Sequence, residues 1–184
     1  MAFCTSIETI KNSVRLEGEK EIVDSLNDLG YALYLGGKYE RAAALLEEGL
    51  ALSKTIGYRR AVATTLDNLG CVAAARRQTE KARRYFDEAL KEAMEIRSLP
   101  IALDILAGTA ALLARKKATQ RRALEILDFV VNQSATWKVT KETALGILSA
   151  LEKDLPSEIF AAASESAKHR EINQIIALVF EKAV

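Results

Sequence analysis

The sequence predicts an all-α fold built from repeated pairs of helices, and three observations lead to it. Ala and Leu are abundant, strand-forming runs of Val, Ile and Thr are missing, and Pro occurs only 2 times in 184 residues. Ala and unbranched side chains lose little rotamer entropy in a helix, so this composition favours helices. Apolar positions recur every three to four residues, and part of the chain repeats after 40 positions.

The repeat is clearest in a short motif of two leucines and a glycine. The segment LNDLG at residues 26–30 recurs 40 positions later as LDNLG at residues 66–70. The register continues through five further pairs: Glu40 and Glu80, Ala42 and Ala82, Leu46 and Phe86, Glu48 and Glu88, and Leu50 and Leu90. Chance does not easily produce so many matches at one offset, so the two segments are predicted to fold alike.

Each unit is predicted to be two amphipathic helices joined by a tight turn. The apolar positions of the first unit follow one helical face and are expected to form the core: Leu26, Leu29, Leu33, Ala42, Leu45, Leu46 and Leu50. Gly30 and Gly70 lie inside helices, where Gly costs about 1 kcal/mol relative to Ala, so we expect two helices to approach closely there. Gly36-Gly37 and Gly57 are expected to end helices, because Gly adopts the left-handed conformation.

A third, degraded unit follows the two clear ones. Its apolar positions are Ile105, Leu106, Ala110 and Leu113 in the first helix, then Ala123, Leu124, Leu127 and Val130 in the second. Ala123 lies 41 positions after Ala82, so we infer one extra residue in the turn at residues 116–120. The predicted divisions are 1–18, 19–57, 58–97, 98–132 and 133–184.

Residues 3–16, ahead of the first full unit, are predicted to form a separate helix. Its apolar face consists of Phe3, Ile7, Ile10 and Val14. This helix stands in the second-helix slot of a missing repeat, which favours excision from a longer chain over a capping role. An apolar face covered on one side only also predicts a homodimer through this helix.

The pattern L-x-x-L-G-x-x-[LY] followed by A-x-x-x-[LF] resembles the tetratricopeptide repeat. Two sets of residues carry it: Leu26, Leu29, Gly30, Leu33, Ala42 and Leu46, and then Leu66, Leu69, Gly70, Ala82, Phe86 and Ala89. The resemblance covers about residues 20–132, and the 40-residue spacing is similar to the longer-helix version in large signalling proteins. It implies a right-handed α-solenoid whose first helices line a concave face.

The residues from 133 to 184 leave the repeat register but still predict helices. Pro156 breaks the pattern, Ser157 is predicted as an N-cap, and two helices are expected at 157–168 and 170–182. This segment is predicted to cap the last apolar face of the array. The short sequence segments at residues 123–127, 135–137 and 155–156 resemble the extreme C-termini of large bacterial signal-transduction NTPases.

The sequence predicts no enzyme, no cofactor and no metal site. His169 is the only histidine, and Gly36-Gly37-Lys38 lacks the other residues of a phosphate-binding loop. Cys4 and Cys71 fit neither a metal spacing nor a disulfide framework, which favours a reducing, cytoplasmic location. The net charge of +1 and the absence of a long apolar run disfavour a membrane or nucleic-acid partner.

By the resemblance, the first helices present the residues that contact a protein or peptide partner. These are Asp24, Asn27, Tyr31, Tyr34, Thr64, Asp67, Asn68, Cys71 and Ala75. The alternative is that they are ordinary exposed polar positions. Chaperone-tail binding is disfavoured, because Asn27 and Tyr31 occupy two positions where the family's carboxylate clamp has Lys or Arg.

Basic residues concentrate in the turns between paired helices and are predicted to form a basic ridge. Its members are Arg76, Arg77, Lys81, Arg83, Arg84, Arg115, Lys116, Lys117, Arg121 and Arg122. An acidic protein surface or a nucleic-acid backbone would fit such a ridge. A solvated charged turn is the plainer interpretation, since no aromatic residues for base stacking are interleaved. The function predicted overall is a protein-interaction module, with nucleic-acid binding and oligomerisation as alternatives.

Overall fold

The computed structural model describes residues 2–180, with side chains from residue 12 onward. Within that range the chain is helical and contains no strand, so the predicted all-α class is confirmed. The helices are α1 (Ala2–Leu35), α2 (Tyr39–Thr55), α3 (Arg59–Ala75), α4 (Thr79–Glu95), α5 (Leu99–Leu113), α6 (Gln120–Asn132), α7 (Lys138–Asp154), α8 (Ser157–Lys168) and α9 (Ile172–Phe180). Contacts divide the chain into two compact units, Met1–Glu92 and Ala93–Val184.

The turns that close α1 to α4 repeat one backbone geometry every 20 residues. Gly37 and Gly57 have φ of 73° and 70°, which confirms that these glycines end helices. Arg77 and Arg97 take the same left-handed conformation at φ of 59° and 53°. Sequence reasoning missed these two positions because arginine pays about 1–2 kcal/mol for a conformation that glycine adopts freely. The repeated turn geometry therefore overrides residue preference at two of its four occurrences.

Gly30 and Gly70, which lie inside α1 and α3, mark close approaches, as predicted. A Cβ atom at Gly30 would lie 2.6 Å from Cγ of Leu46, and one at Gly70 would lie 2.5 Å from Cε1 of Phe86. Both partners are almost fully buried. α1 therefore touches α2, and α3 touches α4, at positions where no side chain fits.

Two expectations for the N-terminal residues are wrong. The backbone is one continuous helix from Ala2 to Leu35, with no break between residues 16 and 19. Leu29, expected in the core, is 53% exposed, whereas its counterpart Leu69 is 2% exposed. α2 covers Leu69, and no helix among the described residues covers Leu29. Of the predicted apolar face, Val14 is exposed, and Phe3, Ile7 and Ile10 lie outside the described side chains.

Unit 2 is organised around α5 and α6. The extra residue inferred in their connection is confirmed, since a short 3₁₀ helix, Lys117–Thr119, occupies this turn and α6 begins at Gln120. α7 packs against α5 and α6, and α8 packs against α6, so helix stacking continues past residue 132. The cap position of α8 is Pro156, not Ser157 as expected, and it makes no side-chain capping bond. That residues 133–184 serve as a cap, and the other predicted divisions, stay predictions.

Gly70→Ala tests the close approach of α3 and α4 in unit 1. We expect it to lower the free energy of unfolding by about 1–3 kcal/mol, because the added methyl overlaps a buried aromatic ring that has little room to move. The matched control is Gly146→Ala, since nothing lies within 4 Å of a Cβ at that helical position. Ala should stabilise there by about 0.5–1 kcal/mol. Urea titrations followed by circular dichroism would compare them, and equal effects at both glycines would contradict the packing.

Candidate partner-binding face

Neighbouring helices leave only one narrow stripe of α3 accessible. Most positions from Ala61 to Ala74 are buried, and the partly exposed ones recur at helical spacing: Thr64, Asn68, Cys71 and Ala75. The positions of α1 that lie 40 residues earlier include Asp24 and Tyr31, and Asn27 lies between them, 41 residues before Asn68. We leave out Ala75 and call the other six positions the accessible stripe: Asp24, Asn27, Tyr31, Thr64, Asn68 and Cys71.

The centre of the accessible stripe is a pair of side-chain amides. Nδ2 of Asn68 donates a hydrogen bond to Oδ1 of Asn27 at 3.0 Å, which joins α1 to α3. Both side chains are half-buried. An asparagine carries two N–H donors and an oxygen with two lone pairs, so this single bond uses part of the capacity of each amide. The pair can therefore hydrogen-bond a further group.

The tyrosines beside the amides play different parts. The rings of Tyr31 and Tyr34 lie 5.9 Å apart, and those of Tyr34 and Tyr39 lie 6.1 Å apart. Tyr34 packs against the buried cluster of Ala42, Leu46, Leu69 and Val72. Tyr31 is 37% exposed and lies on the accessible stripe. Tyr34 thus supports Tyr31 from the core rather than facing a partner.

Another tyrosine, Tyr58, was missed by sequence reasoning and contacts Asp24 at one end of the stripe. Tyr58 lies in the turn before α3, and its hydroxyl donates a hydrogen bond to Oδ2 of Asp24 at 3.4 Å. Burial and the negative charge of Asp24 raise the pKa of Tyr58, so its hydroxyl stays protonated as a donor. Nζ of Lys20 lies 5.6 Å from the centre of the same ring.

The repeat seen in the fold agrees with a comparison against known families. Residues 21–93 match the family model of the tetratricopeptide repeat. No curated protein and no solved structure matches the chain. The matched residues include the whole accessible stripe, and the match ends near the end of α4. Tetratricopeptide repeats generally mediate protein–protein interactions.

Asp67, like Tyr34, is a predicted contact residue that does not lie on the accessible stripe. Asp67 was expected beside Asn68, but it is only 7% exposed. Successive residues of a helix are rotated by about 100°, so the position before Asn68 turns away from the stripe and toward neighbouring helices. Asp67 is therefore an interior residue of α3.

The basic ridge is partly neutralised by acidic neighbours. In unit 1, Arg76 pairs with Glu40 at 3.6 Å, Lys81 with Glu47 at 3.7 Å and Arg83 with Asp87 at 3.9 Å. In unit 2, Arg121 pairs with Glu125 at 3.3 Å, and Arg122 donates to the carbonyl of Leu178 at 3.3 Å. The remaining ridge residues, Arg77, Arg84, Arg115, Lys116 and Lys117, are exposed. A ridge running through both units stays a prediction.

Asp104 of unit 2 occupies the repeat position that Asp24 and Thr64 occupy in unit 1, and sequence reasoning overlooked it. It lies 40 residues after Thr64 and is half-buried on α5. Oγ1 of Thr140 on α7 donates to its Oδ1 at 2.6 Å. Burial raises the pKa of Asp104, while this hydrogen bond opposes the rise. The 40-residue offset is the signal that would have found it.

Neither a metal site nor a membrane-spanning helix is found in the part of the chain that the structure describes. Among residues 12–180, no group of His, Cys, Asp and Glu side chains is arranged to hold a metal ion. No helix in the same range is long and apolar enough to cross a membrane. His169 is exposed, and Nε2 lies 3.3 Å from Oε1 of Glu165.

Asp104→Asn should stabilise the protein at neutral pH. The folded-state pKa of Asp104 lies above its unfolded value, so the folded protein is more stable while this carboxyl is protonated. That stability is lost as the pH rises through the folded pKa. Asparagine keeps an oxygen to accept the Thr140 hydrogen bond. We expect a melting temperature a few degrees higher at pH 7, and a smaller gain near pH 3, where the wild-type carboxyl is protonated.

The control for this prediction is Asp28→Asn, at an exposed position of α1. It should change the melting temperature little at either pH, because an exposed carboxylate is already well solvated. A lower melting temperature for Asp104→Asn at pH 7 would contradict the desolvation account.

Proposed function

We propose that the accessible stripe of unit 1 binds an extended segment of a protein partner. The observation that carries the proposal is the Asn27–Asn68 pair, half-buried at the centre of the accessible stripe. A peptide in extended conformation exposes both N–H and C=O groups. The two linked amides can hydrogen-bond one peptide N–H and one peptide C=O, so they recognise the backbone of the peptide whatever its sequence.

The flanking residues define the chemistry of the segment. Tyr31 offers apolar ring area with a polar end, a combination suited to interfaces. Asp24 adds negative charge at one end of the stripe, and Lys20 and Arg60 add positive charge beside the same Tyr58. The stripe therefore favours a segment without strong net charge, and Asn27 and Tyr31 at the two clamp positions disfavour an acidic chaperone tail.

Nucleic-acid binding through the basic ridge is the weaker candidate. Several ridge residues already contact carboxylates or a carbonyl, which lowers the positive potential available to a phosphate backbone. The role as an arm of a larger signalling protein rests on the C-terminal resemblance alone. The homodimer also stays a proposal, and the exposed face of α1 supports it.

The double variant Asn27→Ala with Asn68→Ala tests the proposed site. Short linear peptides selected on the wild-type protein from a random displayed library would be titrated by fluorescence polarisation. A hydrogen bond contributes about 1 kcal/mol and 1.4 kcal/mol is a factor of ten, so losing two should weaken binding by roughly tenfold or more.

The matched control removes two amides elsewhere, through Asn132→Ala with Asn173→Ala, both exposed positions of unit 2. This variant should bind the selected peptides as the wild type does. Equal affinities for both double variants, or failure to select any peptide, would count against the site.

A further inference from the structure

One face of α1 is exposed although the same face of α3 is buried. On this face of α3, the positions Val62, Thr65, Leu69 and Val72 are all at most 5% exposed. The positions 40 residues earlier on α1 are all exposed: Ile22, Ser25, Leu29 and Ala32. We call these four residues the α1 face. Its two large members, Ile22 and Leu29, are each 53% exposed.

The packing of α3 shows what kind of element fits the α1 face. α2 precedes α3 and runs antiparallel to it, and Ala42 and Leu46 of α2 form one buried cluster with Leu69 and Val72. The buried residues of α2 are Ala42, Leu46, Gly49 and Ser53, at successive spacings of 4, 3 and 4. Leu46 and Gly49 of this row also pack against α1, so the row lies between the two helices on either side of α2. An antiparallel helix with apolar or small residues at this spacing therefore matches the face.

The chain carries such a helix ahead of the α1 face. Apolar residues stand at the same spacings in the N-terminal half of α1: Phe3, Ile7, Ile10 and Val14. Placed in the register of α2 on α3, position 7 falls opposite Leu29 and position 14 opposite Ile22. The residues at positions 9 and 13, which border this row, are Thr and Ser, so they bring no negative charge toward Asp24 and Asp28.

This segment cannot cover the α1 face of its own chain in the observed structure. α1 continues without a break from Ala2 to Leu35, so positions 7 and 29 lie roughly 33 Å apart along the axis at 1.5 Å per residue. Gly18, which lies where a turn would be needed, is helical here. A segment that matches the face but cannot reach it must come from another molecule.

We propose that the α1 face binds the N-terminal segment of a second copy of this chain, residues 2–16, as an antiparallel helix. The interaction continues the packing of α2 on α3 between molecules, and it buries Ile22 and Leu29. Exchange of a helix between copies needs no new surface chemistry, because the same kind of interface already exists within each chain. The proposal is independent of peptide binding at the accessible stripe, which lies on another side of α1 and α3.

Disulfide trapping tests the proposal in the full chain, with Cys4→Ser and Cys71→Ser as background. One preparation carries Ile7→Cys and the other Leu29→Cys, and the two are mixed under mild oxidation. We expect a covalent product of twice the chain mass from the mixture. The matched control replaces Ile7→Cys with Glu8→Cys, which is rotated by about 100° and should give several-fold less product.

Sedimentation equilibrium gives an independent readout without cysteines. The wild type should associate as concentration rises, and Leu29→Lys should abolish this, whereas Val139→Lys, an exposed apolar position of α7, should not. Wild-type protein that stays monomeric at all concentrations would overturn the proposal. So would a doubly substituted chain, with Ile7→Cys and Leu29→Cys, that forms its disulfide only within one molecule, because the segment then folds back on its own face.

Discussion

The close approach of paired helices at Gly30 and Gly70 is the constraint on which the rest of unit 1 depends. Leu46 and Phe86 occupy the volume that any side chain at these glycines would need. Glycine is unfavourable inside a helix, so its presence at both positions 40 residues apart implies that packing outweighs helix propensity there. With the two helices so close, the facing positions Ala42 and Ala82 are small and fully buried.

Tight pairing and stacking together explain where polar groups lie. α3 is enclosed by α1, α2 and α4, which buries even Thr65 and Asp67 and leaves one accessible row of positions. Side chains in that row then meet across helices, as Asn27 and Asn68 do. The same rule applied to α1, which lacks a preceding partner helix among the described residues, leaves Ile22 and Leu29 in water. The proposed partner binding and the proposed self-association thus rest on one packing scheme.

Local patterns predicted the helices, the closing glycines and the extra residue before α6, because each depends on nearby sequence. Burial depends on neighbours that local patterns do not contain. Leu29 and Leu69 are the same residue in the same motif, yet only Leu69 has a helix over it. The left-handed arginines at 77 and 97 were missed for a related reason, since the repeated turn imposes a conformation that their own preferences oppose. Asp104 was missed because its partner, Thr140, lies beyond the recognisable repeat.

A double-mutant cycle of Gly70→Ala with Phe86→Val tests the central packing constraint most directly. Val at position 86 lacks the ring atoms that lie nearest to a Cβ at position 70. Gly70→Ala should therefore destabilise the wild type but be neutral or stabilising in the Phe86→Val background, a coupling of about 1–3 kcal/mol in the free energy of unfolding. Additive effects of the two substitutions would show that the methyl group and the ring do not compete for the same space, and would contradict the account.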